Sequence, residues 1–468
     1  MAKEVELKLS LPEYAVPAML VLAKQDGHPL GMCQGEPLQL DNQYFDTDDL
    51  ALNRSRAALR IRKSQHGYKQ TLKNKGQAIA GLHQRGEWEY DIAGPQIDWQ
   101  LFPEELNIDP QLKNAIKPLF KTDFTRHVWI KKFGESEIEL VLDQGSIHSS
   151  HKHYPLCEIE LELMSGKAED LFGFASVLAK QLPLVPCDIN KAERGYGLES
   201  NVSFYTSPDF SVQFYQTLDV NAFLQDAITR INRHWDQFSQ KTDWWTILVL
   251  SRHVQAVEFL VSCIASVSND KDDKGINAVL ASWTQLKQEL VELLTPTRTV
   301  IALFVDDHSH SRGLSQRLLQ NLTSGLNEKI QTWMNNNTLG LSLLKLGDYL
   351  YQHGAELNQR PEYNNAIWEK LSLLQDCSLD MPVVQFQDLE SIQTLAYFSN
   401  RFEQPVYAKI NQVIRQHMVV MGMSDALHVS AVIDDDSRAK LASWARRITV
   451  ERRRLQVLRE ELKDIMLA

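Results

Sequence analysis

The sequence predicts an α+β chain: an eight-stranded antiparallel closed β-barrel, a tunnel with surrounding helices, followed by an all-α helical-bundle domain. Three observations lead there. Eight short segments before about residue 200 alternate apolar and polar residues with a period of two. Breakers such as His66-Gly67, Phe133-Gly134 and Gly145-Ser146 separate close neighbours, and connections that short favour antiparallel pairing. From about Asn221 onward the apolar period becomes helical.

The expected strands run Val5 to Ser10, Leu38 to Phe45, Ala57 to Lys63, Tyr68 to Lys73, Gln84 to Asp91, Phe124 to Lys132, Ser136 to Asp143 and Leu156 to Met164. Helical intervals fall at Pro12 to Lys24, Gln111 to Leu119 and Lys167 to Leu182. The stretch NVSFYTSPDFS, from Asn201 to Ser211, has no helical period and reads as a linker. The expected organisation is therefore a strand domain at 1–200, a linker at 201–215 and a helical domain at 216–468. Long helices follow at Asn221 to Phe238, Thr246 to Val267 and Asn277 to Leu294. Near the end, Leu441, Trp444, Ile448, Leu455, Leu458, Leu462 and Ile465 share one helical face.

Composition narrows the function classes. At 468 residues and 43% hydrophobic content the chain can bury more than one core. No run of uninterrupted apolar residues reaches membrane-spanning length, and no basic segment followed by an apolar run opens the chain, so a cytoplasmic protein without membrane contact is expected. Five scattered cysteines (Cys33, Cys157, Cys187, Cys263, Cys377) lack C-x-x-C spacing and read as reduced thiols. A net charge of -11 argues against coating nucleic acid, although a small basic pocket is compatible with it.

The strands carry charge on one parity. In MAKEVELKLS, Glu4, Glu6 and Lys8 oppose Val5, Leu7 and Leu9. Arg60 and Arg62 alternate with Leu59 and Ile61; Lys69, Thr71 and Lys73 with Tyr68, Gln70 and Leu72; Arg85, Glu87 and Glu89 surround Trp88. Glu137, Glu139 and Asp143 share one parity of EIELVLD, and Glu158, Glu160 and Glu162 share one of CEIELEL. An ordinary sheet with a solvated face fits any one strand. A closed barrel with a charged interior fits them together, because acids dominate the first, seventh and eighth strands and bases the third and fourth, whereas surfaces intersperse the signs. Carboxylates suit Mg²⁺ or Mn²⁺, and Arg and Lys suit phosphate oxygens, so such an interior is expected to bind a polyanion with its metals.

These residues resemble the CYTH superfamily, the triphosphate tunnel metalloenzymes. The resemblance is carried by E-x-E-x-K at Glu4, Glu6 and Lys8, by Tyr44-Phe45-Asp46-Thr47, LRIRK, TLK, EIELVLDQG and CEIELEL, and by GLHQRGEWEY, PLFKTDFTRHVWI and KAERGYGL, which look similar to bacterial two-domain CYTH-CHAD inorganic triphosphatases. It implies a metal-dependent hydrolase of inorganic triphosphate, with two Mg²⁺ or Mn²⁺ ions held by Glu4, Glu6, Asp143 and the acids Glu158, Glu160 and Glu162. It implies a substrate path lined by Lys8, Arg60, Arg62, Lys73 and Arg126 as catalytic groups, with Lys69, Arg85 and Lys191 as further binding groups. The same tunnel could take thiamine triphosphate or nucleoside triphosphates, and a non-catalytic polyphosphate-binding or scaffolding protein is the alternative of a different class.

The helical half resembles CHAD domains in position, length and helicity, which implies contact with polyphosphate. In WWTILVLSRHVQAVEFL only Arg252 and His253 stand as counterparts of that family's H-x-x-R-V segment. Lys440, Arg447 and Arg454 form a basic stripe seven residues apart on the last helix, which also reads as a solvated face paired with Glu451 and its neighbours. DDHSHSR, the trio His148, His151 and His153, the Trp244-Trp245 pair and VVMGM near Met421 read as surface polarity or helix contacts.

Overall fold

The computed structural model describes residues 2–24, 36–74, 76–150, 152–200, 219–240, 244–268, 274–304, 316–367 and 435–467, with isolated residues between 369 and 424. Its strands are β1 (Ala2–Ser10), β2 (Leu38–Asp46), β3 (Ala58–Ser64), β4 (Gly67–Lys73), β5 (Gln77–Ile79), β6 (Leu82–Ile92), β7 (Lys117–Phe133), β8 (Ser136–His148), β9 (His153–Ser165) and β10 (Val185–Pro186). All neighbours are antiparallel, in the order β1-β9-β8-β7-β2-β3-β4-β6, and β6 pairs back onto β1 from Ala2↔Glu87 to Leu7↔Leu82. That last pairing closes an eight-stranded barrel. The short β5 and β10 lie outside the closed circuit.

Each of the eight expected strands is a barrel strand. The helix expected over Gln111 to Leu119 is cut short: α3 covers Pro110–Ala115, and Lys117 already belongs to β7, which pairs with β2 as far as Asp46↔Lys117. Long-range pairing overrides local helical preference there. The linker expected at 201–215 lies outside the described residues, as do Cys33, Cys377, His151, DDHSHSR and the residues around Met421.

Contacts divide the chain into two compact units. One holds Met1–Ser207 together with Ile228–Ser239 and Leu339–Gln352; the other holds Pro208–Ala227, Gln240–Thr338 and His353–Ala468. In the barrel unit, α1 (Val16–Lys24), α2 (Ala51–Arg54), α4 (Glu169–Ala179) and α5 (Lys191–Ser200) join α3 around the strands. The apolar parity points outward under this cover. Leu7, Leu9, Ile138, Leu140, Leu142, Ile159 and Leu161 are completely buried, and α4 lies over β1 and β9. On the other side Phe45, Leu59, Ile61, Leu72 and Trp88 join Leu52 of α2 and Phe102 in a second core. Each such side chain contributes about 1.5–3 kcal/mol by leaving water, and the opposite parity is thereby committed to the interior.

One end of that interior is filled. Leu40, Tyr44, Phe120, Phe124, Ile147 and Leu156 point inward and meet Tyr196 of α5, with the Tyr44 and Phe120 rings stacked at 4.6 Å and Tyr196 edge-on to Phe120 at 5.2 Å. Gly195 permits this approach, since a Cβ there would lie 2.0 Å from the Phe120 ring. Helix α5 therefore caps the barrel. The turn after β2 is fixed differently: Asp46, fully buried, accepts from the backbone N–H groups of Thr47, Leu52 and Asn53, which caps α2.

The second half of α6 (Val220–Gln240) and most of α10 (Thr338–Leu357) belong to the barrel unit. In the other unit α7 (Trp244–Val267) and α8 (Lys274–Phe304) run side by side, followed by α9 (Gln316–Met334). Helix α7 is long and apolar enough by composition to cross a membrane, and 67% of its apolar window is buried within the structure. His253 on α7 is buried too. In the C-terminal helix, Asp435–Leu467, the exposed Arg454 pairs with the buried Glu451 at 3.1 Å.

Gly195→Val is expected to push α5 off Phe120 and to cost about 1–3 kcal/mol of stability, as overpacking does. Urea unfolding measured on wild type and variant checks this.

Candidate active site

Strand alternation turns Glu4, Glu6 and Lys8 of β1 inward, and these three are 7%, 3% and 3% exposed. Charges this deep in a protein need partners. The register supplies them. Glu4 sits opposite Arg85 and accepts from its Nε at 2.9 Å, while Lys73 of β4 donates to the same carboxylate at 2.7 Å. Arg85 also reaches Glu6 at 2.5 Å. Lys8 lies 3.3 Å from Glu6 and 3.0 Å from Glu160 of β9. Against the cost of burial, Lys73 and Arg85 hold Glu4 well below the usual carboxylate range, and Glu160 and Glu6 hold Lys8 above the usual lysine range.

A second cluster lies deeper. Asp143 of β8 pairs across the sheet with Glu158 of β9, and carboxylate oxygens of Asp143, Glu158 and Glu160 lie within 4.8 Å of one another. Lys191, the first residue of α5, donates to Glu158 and lies 2.8 Å from Asp143 and 3.0 Å from Glu160. Arg126 of β7 grips Asp143 through Nε and Nη2, both at 2.7 Å, and reaches Glu160 at 2.9 Å. Burial opposes these charges, but Arg126 and Lys191 keep Asp143 below its ordinary range, and Lys191, Lys8 and Arg126 do the same for Glu160.

Arg60 and Arg62 of β3 face the same interior in a different state. Arg62 donates to Asn42 Oδ1 at 2.9 Å, and Arg60 hydrogen-bonds Tyr44 but leaves its buried Nε without a partner. Burial, with Arg60 and Arg126 close by, pulls Arg62 down to about 9. Among the described residues neither guanidinium hydrogen-bonds a carboxylate, which leaves both able to accept an anion as partner. The opposite imbalance occurs at Glu162, which stands across from both Glu6 and Glu139. Burial and the neighbouring Glu4 and Glu6 raise it to about 7.

The structure thus brings Glu4, Glu6, Lys8, Arg60, Arg62, Lys73, Arg85, Arg126, Asp143, Glu158, Glu160, Glu162 and Lys191 into one interior. Lys69 stands apart, half exposed at the end opposite α5 and paired with Glu89 at 2.9 Å. Arg85 lies between two acids rather than beside Arg60 and Arg62. Acids and bases are also less segregated than the strand count suggests, because β6 contributes Glu87, 3.3 Å from Lys73. Sequence reasoning left Glu139, Glu87, His83, Asn42 and Tyr44 out of the site. Glu139 and Glu87 lie on the charged parity of their strands, which was the available signal. His83 faces Glu6 across the β1–β6 pairing, and burial and Lys8 lower its pKa.

The first part of the chain is similar to known proteins. Residues 2–196 match the CYTH domain family. Across 202 residues the chain is 34% identical to an inorganic triphosphatase of Haemophilus influenzae, a match covering 43% of this chain and 56% of that relative. The chain thus spans little more than half the length of this curated relative. Among solved structures, a Hippeastrum adenylyl cyclase candidate described as having a dominant triphosphatase activity is 18% identical, with 42% of this chain and 96% of that one covered and a TM-score of 0.33. An adenylate cyclase candidate of Bacillus halodurans is 21% identical, with 42% and 98% covered and a TM-score of 0.29. The fold of the barrel rests on its own strand pairing.

The raised carboxyl of Glu162 carries a sign that can be measured. Its folded value of about 7 exceeds the ordinary 4.5, so the folded state keeps a proton that the unfolded state loses as pH rises between those values. Stability from this group falls across that window. Glu162→Gln is therefore expected to raise the melting temperature relative to wild type more at about pH 8 than at about pH 5, in the presence of chelator. Thermal melts at the two pH values provide the check.

Proposed function

We propose that the CYTH barrel hydrolyses inorganic triphosphate to pyrophosphate and phosphate with the help of a divalent cation, Mg²⁺ or Mn²⁺. One observation carries the reading: a carboxylate cluster within 4.8 Å shares an enclosed interior with two half-buried guanidiniums, Arg60 and Arg62, that bond no carboxylate among the described residues. The inorganic triphosphatase of Haemophilus influenzae supports the choice of substrate.

The donor set fits a hard cation, because Asp143, Glu158 and Glu160 offer only oxygen and converge while buried. With Glu4, Glu6 and Glu162 close by, these carboxylates would hold the metal. Bound there, a divalent cation supplies charge neutralisation and acidifies water for attack on phosphorus.

The chain's own residues do the rest. Arg60 and Arg62 bind phosphate oxygens, and Arg126 and Lys73, each already fixed by an acid, add positive charge beside them. Preorganised donors in a water-poor interior stabilise charge that moves onto the leaving pyrophosphate, since they need no reorientation. Lys8 and Lys191 favour the ionised forms of Glu6, Asp143 and Glu160, and the Tyr44, Phe120 and Phe124 core excludes water from the capped end. Thiamine triphosphate and nucleoside triphosphates share the triphosphate chemistry, and a binding protein without turnover shares the charge pattern.

Phosphate release from triphosphate, ATP and thiamine triphosphate, each with Mg²⁺, Mn²⁺ or chelator, separates these readings. Fastest metal-dependent release from inorganic triphosphate is expected; binding without release from any of the three would overturn the hydrolase reading. Arg60→Ala is expected to lower kcat on the order of 100-fold, the usual loss for one preorganised donor, while circular dichroism remains that of wild type. Glu6→Gln is expected to reduce metal-dependent turnover with the fold retained, and wild-type hydrolysis in that variant would remove Glu6 from the site.

A further inference from the structure

Helix α5 does more than cap the barrel, because its first residue is Lys191 and three residues later it carries Arg194. Lys191 points into the acidic cluster. Arg194 points the other way and is 4% exposed. Its Nη1 and Nη2 donate to Asp236 Oδ2 and Oδ1 at 2.7 and 2.5 Å, and Nη1 also donates to the Tyr154 hydroxyl at 2.6 Å. Asp236, itself 4% exposed, lies on the 228–239 segment of α6, within the same compact unit as the barrel.

The same segment holds α5 at one more point and the residues leading into it at another. Arg233 pairs with Glu193 at 2.8 Å, and Asn232 donates to Asp188 Oδ2 at 3.1 Å. Asp188 in turn accepts from the backbone N–H of Gly81 at 2.8 Å, which ties the segment leading into α5 to the β5–β6 turn. The grip is directional. A bidentate pair fixes the orientation of a guanidinium as well as its distance, and the helix between Arg194 and Lys191 is rigid over one turn.

We infer that Asp236 is a positioning residue, which through Arg194 sets the axial place of α5 and so holds the Lys191 ammonium among Asp143, Glu158 and Glu160. The other described partners of Arg194, the Tyr154 hydroxyl and Cys187 Sγ at 3.3 Å, carry no formal charge. A residue outside the β-barrel sequence thereby governs the charge balance of the interior. Its catalytic consequence rests on the triphosphatase reading; its structural content does not.

Two measurements on the full-length chain keep the two apart. In the first, wild type and Asp236→Ala are exposed briefly to an amine-acylating reagent, and modification is read by mass spectrometry at Lys191 and at Lys8. Lys191 labelling is expected to rise on the order of tenfold in the variant while Lys8, held by Glu6 and Glu160 on β1, keeps its wild-type rate; Asp236→Glu, which retains the charge, returns Lys191 toward protection. Unchanged Lys191 labelling, or a parallel rise at both lysines that marks loss of the whole barrel, would overturn the inference. If Asp236→Ala does not fold, Asp236→Asn, which keeps the shape and one acceptor, is labelled in the same way with the same expected contrast. In the second, wild-type hydrolysis is the control for the triphosphatase reading. Where it is present, Asp236→Ala is expected to lower kcat about 10- to 100-fold, as small misplacements of acting groups do, and to add nothing further in a Lys191→Met background. Wild-type kcat in Asp236→Ala would remove the catalytic role, whereas absence of hydrolysis in wild type would sink the triphosphatase reading and leave the labelling contrast to judge the clamp.

Discussion

A carboxylate turned into a closed barrel has to be met by a cation, because taking an ion out of water costs several kcal/mol that only close, well-bonded partners offset. Glu4 and Glu6 on β1 meet this demand with Arg85 of β6 and Lys73 of β4. The partners of β1 thus come from strands reached only by going around the barrel. Closure and charge pairing support each other: an open sheet would leave Glu4 and Arg85 on separate edges, and their pairing adds to the apolar alternation in favouring this register over a slipped one.

The same demand explains why the interior is unevenly satisfied. Asp143 and Glu160 are held by Arg126 and Lys191, so that part of the site is fixed before any ligand arrives. Arg60 and Arg62 crowd each other and, among the described residues, hydrogen-bond the oxygens of Tyr44 and Asn42 and no carboxylate, and Glu162 faces other acids. Fixed charge in one place and uncompensated charge of both signs nearby is the electrostatic form of a site for an anion that brings its own cations.

Alternation made the barrel legible. Leu59 and Ile61 against Arg60 and Arg62, or Ile159 and Leu161 against Glu158, Glu160 and Glu162, specify which parity is packed and which is charged, and the charge on several strands at once implied a shared interior. What alternation cannot carry is the order in which strands meet around the circuit. Arg85 looked like a member of a basic wall, yet its pairing partner on β1 is Glu4, so it neutralises acids. Helix α5 was unread because KAERGYGL has weak helical amphipathicity; its residues serve three surroundings at once, with Lys191 in the acidic cluster, Gly195 against Phe120 and Arg194 toward Asp236. Asp46 was part of a recognisable run, and its work is to cap α2. A motif can therefore persist for a turn as readily as for chemistry.

The place of α5 in the chain also bears on how the molecule is assembled. Strand β1 emerges first but pairs with β9 only when Glu158 to Glu162 have been made, a contact of long sequence separation that forms late. Lys191 emerges after all eight barrel strands. A barrel that closed before α5 seated would hold Asp143, Glu158 and Glu160 as neighbours without their ammonium, and protons or solvent ions would have to stand in its place. Helix α5 thus supplies a counter-ion that is made after the acids it serves.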